Sequence, residues 1–453
     1  MKIKRIALVC ALVVLTSIAN DLVAQNCYSL EQLRALAQQN NHAIAQSRRN
    51  INVAVLQSKE ALTKFFPSIS AAGLVFDASK EMASMSVNPA EIVPSSLMPT
   101  LQATLPAEVL ASLGNPVNIS MMKNGTIAGL TLMQSVFAGG QIINGNRLAQ
   151  VGEDVSNLQM RLTQNEIDMK TEQYYWQLIS LQEKAKTLQV ADTLLADIHN
   201  DVGTAVRAGV AMRNDLLQVE LRQNELEGQK LKLNNGTYVI RLLLNQHCGL
   251  NDTTFTVEEP GFTIEPVPYV NPIEALPRLP EYQLLNKQVE ASHLNKKMVK
   301  GKLLPTVAVG AGLNYHNLLD KNRTFAMVFA TVSVPISDWW GGSHALKRSE
   351  EQRLNAIDQL VEKSELLNIR MQQSWNELNE ARLQISIAER GIEQAKENLR
   401  VIRDYYNSGI NKMSDLLEAQ LLYQQALDSR TDAFVAYQIK SLQYRQATAQ
   451  NSR

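Results

Sequence analysis

The apolar positions of this chain follow two rhythms, and the change from one to the other occurs twice. Behind a good N-cap at Ser29, the residues Leu30, Leu33, Leu36, Ala37, Ile44, Val55 and Leu62 recur at helical spacing, and Pro67 ends the run. One helix is therefore expected over 29–64. The segments 68–77 and 126–137 are short and partly alternating, as strands are. Between them, over 78–125, no period survives. Pro89, Pro94, Pro99, Pro106 and Pro116 break it repeatedly, so a long exposed loop is expected, with one helical turn near Leu105–Leu113. Gly139-Gly140 then opens a Pro-free helical pattern that runs to about Val206, with one internal turn signal at Asn144-Gly145; Asp215–Gly249 returns.

The second half replays this order. A helix is expected from Pro280 to Leu304. The strand 306–315 puts Val307, Val309, Ala311, Leu313 and Tyr315 on one face and Ala308, Gly310, Gly312 and Asn314 on the other. A short hairpin loop leads to a fourth strand, 324–336, and Trp339-Trp340-Gly341-Gly342 opens a second long helix reaching about Tyr406. Asp415–Ala447 returns. In that long helix Met371, Trp375, Leu378, Ile385, Ile392, Ala395, Leu399, Ile402 and Tyr406 follow a 3–4 alternation with a polar break at Arg382, the pattern of a coiled coil. About 65 residues at 1.5 Å each give a rod on the order of 100 Å.

The two halves are related by a constant offset. Gly209 matches Gly409, and Asp215-Leu216-Leu217 matches Asp415-Leu416-Leu417, each 200 residues apart. Each copy reads as helix, tight turn, helix, with a Gly at the left-handed position and an Asp in the first turn of the second helix. The chain is thus expected to be a tandem duplication. Residues 25–249 are the first repeat, 250–279 a linker or small mixed segment rich in Pro, and 280–453 the second repeat.

Composition narrows the class of function. The 453 residues carry 44 Lys+Arg against 44 Asp+Glu, so nothing global favours nucleic acid. Lys2, Lys4 and Arg5 precede an apolar run to Ile18, and Leu22-Val23-Ala24 is a cleavage signal. Residues 1–24 therefore read as a signal peptide and the protein as exported. No other run is long and apolar enough for a transmembrane helix. Cys27 lacks the small residue that lipid attachment wants before it. For Cys27 and Cys248, a disulfide and two independent thiols both stay open. The six His show no metal-ligand spacing, and there is no phosphate-binding loop or nucleophile elbow, so no enzyme and no cofactor is expected.

Four strands are too few to close a membrane barrel, which needs at least about eight. An open edge in hydrocarbon would leave backbone groups unpaired, so strands of this kind span a bilayer only if several chains share one barrel. Phe65-Phe66, Phe137 and Trp339-Trp340 sit at strand–helix junctions, where a membrane interface would be. The competing expectation is a soluble exported coiled-coil adaptor or scaffold, but such a protein has no need of a duplicated strand pair.

The paired motifs KFFPSIS and KLLPTVA, QSVFAGG and VPISDWWGG, and RAGVAMRNDLL and NSGINKMSDLL, in this order, resemble those of the TolC-like outer-membrane efflux proteins. The resemblance implies an α+β membrane protein: long antiparallel helices forming an α-barrel, and four strands per chain joining a 12-stranded β-barrel in a homotrimer. It implies a passive exit duct of a tripartite efflux pump or type I secretion system, set in outer-membrane lipid of a Gram-negative bacterium with its helices in the periplasm. The implied partners are a periplasmic adaptor and an inner-membrane transporter. Asp415 and Glu418 then fall at acidic positions of a periplasmic gate, with Asp215 the first-copy equivalent and Tyr406 a tip residue that holds the closed state. Gly209 and Gly409 become adaptor-docking turns, and Phe137, Trp339 and Trp340 membrane-interface aromatics. For Asp215 and Asp415, simple stabilisation of a helix N-terminus stands beside the gate role.

Overall fold

The computed structural model describes residues 26–450 other than 81, 122, 251, 253 and 319–321. The expected signal peptide lies outside the described residues. In chain order the elements are β1 (Cys27–Tyr28), α1 (Leu30–Asn40), α2 (His42–Thr63), β2 (Ser68–Asp77), β3 (Ala83–Val87), α3 (Pro89–Ile92), α4 (Met98–Thr104), α5 (Ala107–Leu113), β4 (Val117–Met121) and β5 (Asn124–Ala138). They continue as α6 (Gln141–Arg207), α7 (Arg213–Cys248), β6 (Thr256–Val257), α8 (Pro272–Ala275), α9 (Pro280–Lys302), β7 (Thr306–His316), β8 (Arg323–Ser333), α10 (Asp338–Asn407) and α11 (Met413–Ala447). The chain forms two compact units. Among the described residues, one holds 26–54, Glu153–Val289 and 356–450; the other holds Val55–Gly152 and Glu290–Asn355.

The first unit is built of helices. Ser29 caps α1 as its sequence promises: its Oγ accepts from Gln32 N at 3.2 Å, and Gln32 Oε1 accepts from Ser29 N at 3.0 Å. The single helix expected over 29–64 is, however, broken at Asn41, whose ψ of 134° is extended. Asn41 compensates for the lost helical bonds with its own amide. Oδ1 accepts from Ala43 N at 2.9 Å, and Nδ2 donates to the His247 carbonyl at 3.0 Å. Periodicity alone cannot reveal such a break, because the apolar spacing resumes in phase.

The core of this unit gathers Leu33, Ile44, Leu178, Leu244, Phe434 and Tyr444, with Trp176 edge-on to Phe434 at 5.7 Å. The 3–4 seam of α10 is used as the sequence suggests. Met371, Leu378 and Ile385 are buried, while Arg382 at the break is exposed. Residues 250–279 lie within this unit, and they contribute Phe255, Val257 and Val267 to its core. β6 pairs with β1 in parallel. Beyond it, the irregular backbone over 258–270 is pinned by three tyrosines. Tyr175 and Tyr437 donate to the carbonyls of Glu258 and Glu265 at 2.7 Å, and the Tyr444 hydroxyl accepts from Val270 N at 2.8 Å. Cys27 is exposed and Cys248 buried, and both thiols are free.

The second unit is built on an antiparallel sheet in the order β2-β5-β7-β8. Register places Ile69 opposite Leu132, Leu130 opposite Leu313 and Ala311 opposite Val328, so all four strands share one apolar face. A bulge at Val136 lets Phe137 pair with Val307 and turns its ring onto that same face. On the opposite face β7 offers small or polar residues, Ala308, Gly310, Gly312 and Asn314, and β8 lays Phe325, Met327 and Phe329 beside them. There a Cβ on Gly310 would meet the Phe329 ring, and one on Gly129 would meet the Asn314 side chain. The fourth strand ends at Ser333, short of the expected Ile336, where its pairing with β7 runs out opposite Thr306.

The expected loop over 78–125 is largely ordered. β3 and β4 pair antiparallel from Ala83↔Met121 to Val87↔Val117, with α3, α4 and α5 between them. Each of these pieces is shorter than the window in which a period can be recognised, and prolines separate them. The two Gly-Gly pairs also prove unequal. Gly139 and Gly140 have φ of 60° and 76° and make the strand-to-helix joint, whereas Gly341 and Gly342 already lie inside α10.

Candidate functional site

Two helical reversals in the first unit carry the candidate site. After α6, Gly209 N donates to Val206 O at 3.0 Å and Val210 N to Ala205 O at 3.0 Å. After α10, Gly409 N donates to Tyr406 O and Ile410 N to Tyr405 O, both at 2.9 Å. Both are Schellman closures, with the Gly at φ of 76° and 73°. The two turns therefore match down to individual hydrogen bonds. The residue after each Gly is thrown outward: Val210 is 80% and Ile410 70% exposed, and Met212 stands beside them at 74%. Apolar side chains this open at the end of a hairpin are a feature of contact surfaces.

The aspartates beyond the turns have a defined local role. Asp215 Oδ2 accepts from Met212 N, and Asp415 Oδ2 from Lys412 N, each at 3.2 Å. Each carboxylate thus satisfies an orphan donor at the positive end of its helix, the alternative raised from sequence. Both are only half-buried, and Glu418 is exposed. The other oxygen of Asp415, Oδ1, accepts from Ser414 Oγ at 3.3 Å.

Tyr406 joins the two copies. It is half-buried against a cluster that includes Ile198, Val202, Met413 and Leu416. Burial pushes its phenol up from the ordinary value, and the charges of Asp215 and Asp201 push it further. The end of α10 from the second repeat thus lies within electrostatic reach of the first turn of α7 from the first repeat. Asp201 is an addition the sequence did not single out, and its signal was weak: one acidic residue on a wet helix.

A larger feature was also missed. On α7 the positions 217, 221, 224, 228, 231, 235, 238 and 242 follow a 4–3 alternation, and Leu217, Leu221, Leu231, Tyr238 and Leu242 among them are 40–71% exposed. The side of α7 turned into the unit is a different one, bearing Val219, Leu226 and Leu244. On α10, Leu366, Ile369, Leu383 and Ile387 form a second exposed seam of the same period. Each helix therefore carries two apolar seams, one used within the chain and one left open. Asn224, Gly228 and Asn235 interrupt the α7 seam, which hid it from a search for continuous apolar spacing.

In the second unit the aromatics at the ends of the sheet are open: Phe65 42%, Phe66 62%, Phe137 46%, Trp339 48% and Trp340 80% exposed. Trp339 is nevertheless fixed, since its indole Nε1 donates to Leu303 O at 2.9 Å. Among the described residues no group of three or more His, Cys, Asp or Glu is placed to hold a metal ion, and no helix is long and apolar enough to cross a membrane.

Residues 272–450 match the family described as outer membrane efflux protein. No curated protein matches the chain in sequence. Among solved structures it is similar to the outer membrane protein VceC of Vibrio cholerae, at 13% identity and a TM-score of 0.72 over 92% of this chain and 95% of that one. It is similar to the CmeC outer membrane channel of Campylobacter jejuni, at 14% identity and 0.73 over 92% and 85%. The open state of the MtrE outer membrane channel of Neisseria gonorrhoeae gives 13% identity and 0.71 over 92% and 88%. Identities this low speak to fold alone, and on that point the three agree over nearly the whole chain. Residues 272–450 thus match the outer membrane efflux protein family, and the chain as a whole has the TolC-like fold seen in these outer membrane channels.

Proposed function

We propose that three copies of this chain form a passive exit duct across the outer membrane, serving a tripartite efflux pump or a type I secretion system. The observation that carries this is the four-stranded sheet with both outer strands, β2 and β8, unpaired on one side and one face of exposed apolar residues. Val328 is 85%, Val75 77% and Ile69 72% exposed, which suits lipid and not water. Open edges are intolerable in hydrocarbon, so β2 of one copy must meet β8 of the next until the ring closes. The open heptad seams on α7 and α10 support the same association, since each asks for a neighbouring helix.

In this reading a periplasmic adaptor grips the Gly209 and Gly409 turns through Val210, Met212 and Ile410, and an inner-membrane transporter supplies the driving force. Asp415 and Glu418, repeated about a three-fold axis, form the acidic constriction, and Tyr406 packed beside Asp215 and Asp201 holds it shut. The combined Asp415→Ala, Glu418→Ala variant should show at least a severalfold higher single-channel conductance in planar bilayers and a weaker preference for cations. Unchanged conductance and selectivity would remove these two residues from the gate. A soluble scaffold is separated from a duct by fractionation: the duct sediments with the outer membrane as heat-modifiable trimers, and the scaffold is released with the periplasm.

A further inference from the structure

The chain is neutral as a whole, with 44 basic and 44 acidic residues. Its charge is unevenly placed. The four helix segments adjoining the sheet, 57–64, 141–148, 295–302 and 338–348, hold nine Lys and Arg against two carboxylates, Glu60 and Asp338. Lys296 is paired with Glu350 at 2.7 Å. Lys64, Lys297, Lys300, Lys302, Lys347 and Arg348 are exposed, and none has an ion pair among the described residues. Unpaired cations gathered in this way create a positive field that attracts anions.

The segments meet at one level of the second unit. Gly139 lies against Gly301, Gly342 against Leu303, and the Trp339 indole donates to Leu303 O at 2.9 Å. Lys302 is therefore next to the residue that Trp339 caps, and Lys64 directly precedes Phe65 and Phe66. A belt of exposed aromatic rings is thus followed, within two turns of helix, by a collar of exposed cations. Rings of this kind settle among lipid headgroups, and cations on the flank of such a belt meet the phosphates of an anionic leaflet.

We propose that this collar is a binding surface for anionic glycerophospholipid headgroups of the leaflet nearest the helices. Lys297, Lys300 and Lys302 of α9 engage the phosphodiester, and Trp339 and Trp340 seat the glycerol and upper acyl region. The proposal rests on the duct reading, because only a sheet set in a bilayer brings these residues to a leaflet.

The test is native mass spectrometry of the full chain in detergent with equal amounts of phosphatidylglycerol and phosphatidylcholine added. The native protein should retain phosphatidylglycerol preferentially. Each cation near an anionic surface is worth on the order of fivefold, so K297Q/K300Q/K302Q should weaken that retention roughly 100-fold and leave phosphatidylcholine unaffected. Independently of any variant, raising salt from about 50 to about 500 mM should erase the preference of the native chain. Equal retention of both lipids, a preference indifferent to salt, or a folded triple variant that keeps the preference would each overturn the collar. A chain that assembles in phosphatidylcholine bilayers but shows no preference leaves the duct standing without the collar. A chain that never enters such bilayers removes both.

Discussion

Replacing Gly139 by alanine should strip the protein from the membrane fraction. Gly139 has φ of 60°, a region that costs an L-residue roughly 1–2 kcal/mol. The new Cβ would also overlap the carbonyl oxygen of Gly301, which is backbone and can move only by shifting α9. Gly301→Ala makes the reciprocal overlap with Gly139 O. Together these terms should cost at least about 3 kcal/mol, a large share of the stability of an ordinary domain. The expected result is loss of heat-modifiable protein and ready digestion by protease for either variant. Gly391→Ala is the matched control. It lies inside α10, a Cβ there meets nothing within 4 Å, and alanine should gain up to about 1 kcal/mol. Native accumulation of the Gly139→Ala protein would show that α9 can move away from the β5–α6 joint at little cost.

The double substitution Leu221→Asp, Leu231→Asp should divide the assembly into single chains without unfolding them. Both leucines are open in the isolated chain, at 62% and 71% exposure, so the chain itself loses little. Burying a leucine against a neighbour is worth about 1.5–3 kcal/mol, and an aspartate left there would be buried unpaired. Two such sites in each of three repeated interfaces exceed what a trimer can absorb. Mass measurement in detergent should report monomers of native helicity. Leu226→Asp, five residues from each, is a fully buried position on the other seam and should unfold the chain instead. If the double variant remained trimeric, the open face of α7 would have to be assigned to solvent or to another protein.

Much of the architecture was readable because a few residue types force the issue. Ser29 as an N-cap, Gly209 and Gly409 at their left-handed positions, and the alternation from Val307 to Tyr315 each point to one local structure, and each occurs at its expected place. Legibility failed where structure depends on a distant partner. The break at Asn41 is held by His247, some two hundred residues away, and no local signal marks it. Segment 258–270 looks like a linker because it has no period, yet hydroxyls of Tyr175, Tyr437 and Tyr444 give it a fixed path. The insertion after β2 hid its short strands among prolines. At the tips, Asp215 and Asp415 were visible as acidic first-turn residues, but the proximity of Tyr406 to Asp201 is a product of packing between repeats. The open seam on α7 was present in the sequence, masked by two asparagines and a glycine.

The duct itself is tested most directly by adding the purified native chain to a planar bilayer. A trimeric channel predicts long-lived conductance steps of one size, cation-preferring and small while the tips are closed. These steps should be absent from the monomeric Leu221→Asp, Leu231→Asp protein. A native chain that stays in solution, or that gives only erratic leaks indifferent to that double substitution, would contradict a trimeric duct.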